Sequence, residues 1–599
     1  MRYSGKVGRI LSQGLAMTLM MTLLLAVACG AAATATPAPA APKTPAAAAP
    51  APAVNPTAVF APVPTVQPTP RPVEVVAKRT DLNVVINVEP PDPDIFKATT
   101  AYPYSIGLNV VPGVALLGPD FVDTLTAGFE SFTIVNTSRW RFKLTPGVKF
   151  HNGEPWNAAA AKFSIDFHGI VKSGSQAFSN VDAAHAEIID DLTVEWVCDK
   201  VACPLLPRYA SYHTFQAPDW YQKTPEAQRN AEGRIIGWGP YQFKEWKKGQ
   251  SYTVEQYPGY VEPKPVRFIA QRGSIKTVKY VWRDEELVRA AMVQTGEVDL
   301  AFNLDGTVFA DNLNKNPKTK AVRANTGETY TANVDTIWDP FLKDLRVRQA
   351  LMHAVDCEAM ALALFGPQSK CRSGPNGPGV LGINETNTKP IYTYSPAKAK
   401  QLLQESGYLA TGASVESRHQ INFWNRQGRY PKDVEVGESL GAYWKEAGIN
   451  VKINVVDNAV WNDRHLTGPG RILAAGGTIE SVATSKPPKP ALVSPGLVFF
   501  APGGELFDFG RQLSFYASCG SNRSKNCSAE RQKLTDAALG ATGAEREKLM
   551  TQGYEDFAKN LLHLPFMDIV GVWGVNKDLD FIDMPGGRRI QLNSTHWLK

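Results

Sequence analysis

The 599-residue sequence has no G-x-S-x-G, H-E-x-x-H or P-loop motif and no G-x-G-x-x-G after a strand-like run. The motif-borne forms of acyl transfer, zinc hydrolysis, nucleotide hydrolysis and dinucleotide redox chemistry therefore have no signature here. Histidine is scarce, with nine scattered copies. His151, in the tight segment KFHNGE, reads as an imidazole bonded to a turn rather than as a base. The cysteines offer one close spacing, CDKVAC, without the second pair a zinc site needs. No metal, no cofactor and no catalysis are expected. Charge of one sign is also lacking: 63 basic and 57 acidic residues give +6, and Arg2, Lys6 and Arg9 at the start supply half of that. Nucleic acid calls for a concentrated basic face, so it is not an expected partner. No repeat of solenoid period is visible.

What the chain does have begins with those three cations, followed by an apolar run from Leu15 to Ala28. The run is too short to cross roughly 30 Å of hydrocarbon, and it has the size of a secretory h-region. Residues 1–28 are expected to be a signal peptide. Ala26-Val27-Ala28 stand directly before Cys29 and resemble the lipobox of bacterial lipoproteins, which implies lipidation at Cys29. Residues 29–79 are then a lipidated cysteine and an Ala/Pro-rich tether, too poor in large apolar groups to fold. Extended as polyproline II, such a tether reaches on the order of 120 Å. An extracytoplasmic, lipid-anchored location is the expectation.

From about Leu82 the composition is globular, and more than 500 residues exceed one hydrophobic core. Six cysteines fall into sequence-local pairs, Cys198 with Cys203, Cys357 with Cys371 and Cys519 with Cys527. Local closure is the simplest of the possible connectivities in an oxidising compartment. LNVVINVEP predicts a buried strand over 82–90. WRFKLTPGVKFHNGEPWNAAAAKF predicts strands over Trp140–Leu144 and Val148–His151 and a helix capped by Asn157, with Phe163 and Phe167 on one face. GWGPYQFKEWKKGQSYTVEQYPGY alternates bulky and polar residues about a Lys-Gly-Gln break, the pattern of a hairpin. A strand at Thr277–Trp282, a helix at Glu285–Gln294 and a strand at Val298–Phe302 make a βαβ-like unit. Helical spacing continues over 341–365, 396–407 and 435–447, the last leading into the strand INVKINVV. Alternating helices and strands imply an α/β layer architecture.

Six blocks carry a resemblance: residues 140–164, the hairpin at 237–260, RDEELVRAAMVQTGEVDLA, FLKDLRVRQALMHAVDCEAM, YSPAKAKQLLQESGY and AYWKEAGINVKI. In this order they resemble the family 5 extracellular solute-binding proteins of ABC importers, the dipeptide and oligopeptide type, over about residues 80–599. The resemblance implies a periplasmic-binding-protein type II-like fold with two lobes around a cleft. Lobe I would comprise 80–115, 232–331 and 572–599, an inserted subdomain 116–231, and lobe II 332–571. The hairpin would belong to lobe I, its first strand near the cleft and its aromatics packing the sheet beneath a solute. The implied function is capture of a solute, most simply a peptide, by a monomer that closes about its hinge and delivers the solute to a membrane permease.

The family often holds a peptide ammonium with an Asp in a D-P-D-x-F segment of lobe II and the carboxylate with Arg. That pattern is absent here, and Asp508 is the acid placed to substitute. Glu89 resembles the lobe I acid before the family's L-D-P turn. Trp424, Asn425 and Arg426 follow a strand where open α/β sheets meet ligands. Trp461 and Arg471 are further candidates, with Gly476 and Gly477 leaving room for close approach. Alternatives are a saccharide or metal chelate as the solute, a secreted envelope hydrolase, or a receptor-partner lipoprotein on the same fold.

Overall fold

The computed structural model describes residues 79–87, 89, 106–118, 123–136, 138–170, 184–198, 210, 213–261, 274–324, 327–427, 429–468, 473, 478, 495–502, 507–583 and 590–598. Strand β1 (Asp81–Ile86) opens the fold. A four-stranded antiparallel sheet follows, with strands in the order Phe129–Asn136, Arg139–Leu144, Thr193–Cys198 and Ala184–Asp190. The helix Ala158–Ile170 packs on it, and Trp140, Phe142, Trp156 and Trp196 fill the core between them. Asn157 caps this helix, its Oδ1 accepting the Ala160 N–H at 3.0 Å.

The chain then forms β2 (Tyr241–Lys247), β3 (Ser251–Gln256), β4 (Thr277–Trp282), α1 (Glu286–Thr295), β5 (Leu300–Asp305), α2 (Gly306–Lys315) and β6 (Thr319–Arg323). It continues into β7 (Thr329–Val334), α3 (Leu345–His353), α4 (Cys357–Phe365), α5 (Pro396–Glu405), β8 (Ile421–Arg426), α6 (Asp433–Glu446), β9 (Val451–Val456), α7 (Asn458–His465) and β10 (Gly496–Phe500). Helices α8 (Ala529–Gly540) and α9 (Gly543–Asn560) precede β11 (His563–Asp568) and β12 (Gly571–Asn576).

These strands make two mixed sheets. One has seven strands in the order β6-β12-β5-β1-β4-β3-β2, and the other has five in the order β9-β8-β10-β7-β11. Between the described strands the chain passes from one sheet to the other twice, at 324–328 and at 569–570. The two passages are bonded together: Ala324 N–H donates to Gly571 O at 2.9 Å, and Ile569 N–H to Glu328 O at 3.1 Å. Each face of the five-stranded sheet carries its own core. Phe423, Leu497 and Phe499 pack against Trp444, Leu440 and Leu351 on one side. Val498 and Phe500 pack with Trp461, Tyr516, Tyr554 and Phe557 on the other.

Three local expectations are revised. The helical spacing over 341–365 is broken into α3 and α4, because Asp356 turns its side chain onto the Ala359 N–H and starts a second helix. Val148–His151 makes only a bridge, Lys149 with Pro155, not a strand. The chain reverses at Gly153, at φ +90°, and His151 Nε2 bonds Gly239 O at 3.0 Å. The 241–256 hairpin forms, but β2 is the outermost strand of its sheet, three places from β1. Its Tyr241 and Tyr252 are buried in the sheet core. Disulfides join Cys357 to Cys371 and Cys519 to Cys527. Cys198 is disulfide-bonded, and Cys203 and Cys29 lie outside the described residues.

Candidate functional site

In the seven-stranded sheet β1 lies between β4 and β5 and runs parallel to both. In the five-stranded sheet β8 lies between β9 and β10 and is parallel to both. Ligands of open α/β sheets sit outside the carboxyl ends of such strands. Here those ends converge. Asn87 after β1, Asp284 after β4 and Asn303 of β5 face Gln427, Tyr430 and Lys432 after β8 across a cavity of about 540 Å³.

The rim on each side is held by polar contacts. Arg289 of α1 is buried and donates to the carbonyl oxygens of Arg283, Asp284, Phe302 and Asn303. Asn303 takes φ +54° at a break in the β5 register. Glu286 accepts the Asp305 N–H, and burial pushes its carboxyl above the ordinary range. On the other side Asp433 Oδ2 accepts the N–H groups of Arg429 and Tyr430 at 2.8 and 3.0 Å. The Tyr430 hydroxyl donates to Ala501 O at 2.8 Å, and the Tyr330 hydroxyl to Pro431 O. Lys432 reaches across to the other sheet, its Nζ 3.1 Å from Asp305 Oδ2 and 3.2 Å from Thr307 Oγ1.

A second feature lies on one face of β8. Trp424 and Arg426 share that face by strand alternation. The Arg426 guanidinium stands 4.2 Å above the Trp461 ring, and that of Arg464 stands 4.7 Å above Trp424. Such stacking fixes a planar cation without removing its hydrogen-bonding edge. Arg464 Nε and Nη1 are buried without a hydrogen-bond partner among the described residues. Trp461 Nε1 donates to Phe499 O at 3.0 Å, and its ring stacks on His465 at 4.4 Å. Burial, with the charges of Arg523, Lys525 and Arg426 nearby, holds the His465 imidazole far below its ordinary pKa. Trp424, Arg426, Trp461 and Arg464 form a cationic, aromatic cluster on that face of β8; none of them lines the cavity, which begins one residue further on, at Gln427.

Of the residues expected from sequence, Trp424, Arg426 and Trp461 come together. Asn425 does not join them: it points to the opposite face and donates from Nδ2 to Asp433 O at 2.8 Å, supporting the turn after β8. Glu89 accepts from Trp246 Nε1 at 3.1 Å and Gly249 N–H at 2.9 Å, which anchors the hairpin turn. Asp508 is fully buried in a bidentate pair with Arg546, at 2.8 and 3.0 Å, because a charge inside must be met by a charge. Arg471, Gly476 and Gly477 lie outside the described residues. Arg464 was missed, although its place three residues after Trp461 on α7 puts both on one helix face. Among the described residues no cluster of His, Cys, Asp and Glu could hold a metal ion, and no helix is long and apolar enough to cross a membrane.

This architecture is that of the type II periplasmic-binding proteins. A dipeptide-binding protein from Pseudoalteromonas sp. SM9913, solved with Met-Leu, superposes with TM-score 0.69 at 17% identity, covering 86% of this chain and 100% of that one. AgaA from A. tumefaciens R10, solved with agropinic acid, gives TM-score 0.67 at 20% identity over 86% and 98%. Residues 129–487 match the family described as bacterial extracellular solute-binding proteins, family 5 middle, and the chain belongs to that family. The glutathione-binding protein GsiB of Pectobacterium atrosepticum is 30% identical over 275 residues, 44% of this chain and 49% of that protein. The chain thus matches about half the length of such curated relatives.

Proposed function

We propose that the protein is the substrate-binding component of an ABC importer, a monomer that takes up a small solute between two lobes and passes it unchanged to a membrane permease. The observation that carries this reading is the convergence of β1 and β8, from two sheets joined by two passages, on one cavity. The lobe limits inferred from sequence, 80–115 with 232–331 and 572–599, the insert 116–231, and 332–571, belong to this reading. So do the signal peptide and lipid anchor at Cys29, which put the protein outside the cytoplasm, tethered to the membrane. Closure about 324–328 and 569–570 would use part of the binding free energy to populate the closed form.

The solute class favoured is a small peptide or peptide-like molecule carrying a carboxylate. The carboxylate would be received by Arg464 and Arg426 over their tryptophans, with Trp461 and Trp424 covering an apolar or flat portion. Sequence relatives that bind glutathione support a peptide-like solute. Glu89, Asn425 and Asp508 are assigned support of the hairpin, the β8 turn and the lobe II core. Arg471 remains a candidate contact in this reading.

The test is a thermal-shift and calorimetry panel of glutathione, Met-Leu and an opine acid. A stoichiometric, saturable binder that raises the melting temperature and is recovered unchanged is expected. Arg464→Gln and Trp461→Ala should each weaken it at least tenfold, about 1.4 kcal/mol. Turnover of the solute, or affinity unchanged in both variants, contradicts the reading.

A further inference from the structure

Lys432 is a poor local choice for its place in the chain. It stands at the N-cap of α6 in the left-handed region, at φ +56° and ψ +30°, and its side chain caps nothing. A cap position favours Ser, Thr, Asp, Asn or Gly, and a left-handed one favours Gly or Asn. Such a conflict persists where the residue serves something beyond its own element. What the lysine gains is reach. Its Nζ lies 3.1 Å from Asp305 Oδ2 and 3.2 Å from Thr307 Oγ1, where β5 of the seven-stranded sheet runs into α2. It also donates to Leu364 O at 2.6 Å, near the end of α4 in the body of the five-stranded sheet.

Both ends of the contact are braced. Asp305 is buried, its Oδ1 accepts the N–H and hydroxyl of Thr307 at 2.8 and 2.7 Å, and its own N–H donates to Glu286. In sheet register it stands opposite Gly571, and Gly306 N–H donates to Val570 O at 3.4 Å, so the acceptor sits beside the second passage between the sheets. On the other side the Tyr330 hydroxyl holds Pro431 O. Lys432 Nζ lies 5.7 Å from the Phe365 ring, which packs with Tyr330 in the core of the five-stranded sheet. Thr307 Oγ1 reaches Leu364 O at 3.4 Å, a second contact between the two bodies. The side chains of Lys432 and Asp305 are 24% and 4% exposed, so water and salt screen this pair less than a surface one.

We propose that Lys432 is a latch between the two sheets: its ion pair with Asp305 selects one angle between them, and its place in the turn that walls the cavity makes that choice depend on what the cavity holds. Gln427, Tyr430 and Lys432 all line the cavity, and this turn leads from β8 into the left-handed position. A solute that contacts the turn acts on the latch, and a formed latch presents the turn to solute, so each favours the other by the same factor. Beside a passage, a small displacement becomes a larger one at the far rim of the cavity. The coupling to solute rests on the binding function proposed above.

Two substitutions in the purified protein remove the ion pair from either side. Lys432→Gly suits the left-handed cap, and Asp305→Asn keeps an acceptor for the Thr307 N–H. Scattering from the solute-free protein should show a larger radius of gyration in each variant and no further increase in the double variant, since the same contact is lost in all three. Melting of Lys432→Gly should stay close to that of the parent, because relief of the left-handed backbone offsets the lost pair. An unchanged or smaller radius in the single variants overturns the proposal, as do increases that add in the double variant. Solutes of the glutathione, Met-Leu and opine panel should bind each variant about fivefold more weakly. Unchanged affinity alongside a larger radius overturns the coupling. If no panel member binds the parent, the binding function fails, and scattering from the variants still decides the latch.

Discussion

Asp508 illustrates why single residues were the least legible part of the sequence. Its partner Arg546 is separated from it by the disulfide loop and a helix, and nothing in GAEREKLM marks that arginine for burial. The pair is closed off from water on both sides. Asp508→Asn should therefore cost about 3–5 kcal/mol, since it leaves a buried guanidinium without its counter-charge. Denaturant unfolding measures this, and a loss below about 1 kcal/mol would contradict the burial argument. His563 is a second buried group, its imidazole held down to about 3 by burial, and burial likewise holds His151 down to about 4. An imidazole depressed in the native state is protonated first in the unfolded chain. Stability is therefore complete above the ordinary histidine value near 6.5 and falls with pH from there toward about 4. The slope approaches about 1.4 kcal/mol per pH unit for each histidine. Melting curves across that interval should show the decline, and His563→Gln should make it shallower.

At the scale of elements the sequence spoke more clearly, because period and capping are local. The alternation in YQFKEWK and SYTVEQ and the Asn157 cap were readable, and all three form. The division of 341–365 was not, since the apolar spacing runs on across the break. Asp356 decides it, and Asp356→Ala should cost about 1 kcal/mol with α4 losing protection in hydrogen exchange. An unchanged exchange rate at Ala359 would show the cap to be idle. Strand alternation explains the candidate site in the same way. INFWNR reads as a cluster in sequence, yet period two sends Trp424 and Arg426 one way and Asn425 the other. Asn425→Ala should thus disturb the 427–433 turn and stability before it touches solute stacking.

For the whole molecule, order along the chain carried the fold class: helices alternating with strands implied an α/β architecture, and six blocks in sequence implied, by resemblance, two lobes and an insert. What they left out is where the sheets meet. Lys432, at φ +56°, crosses to Asp305 at the end of β5 and Thr307 at the start of α2, a contact no local pattern announces. In the proposed function, movement between the two sheets is the property on which solute capture turns. Small-angle scattering at saturating solute, chosen from the peptide and opine panel, tests that most directly. The radius of gyration should contract when solute binds and recover when it is dialysed away. Identical scattering curves with and without a solute whose binding calorimetry has established would contradict it.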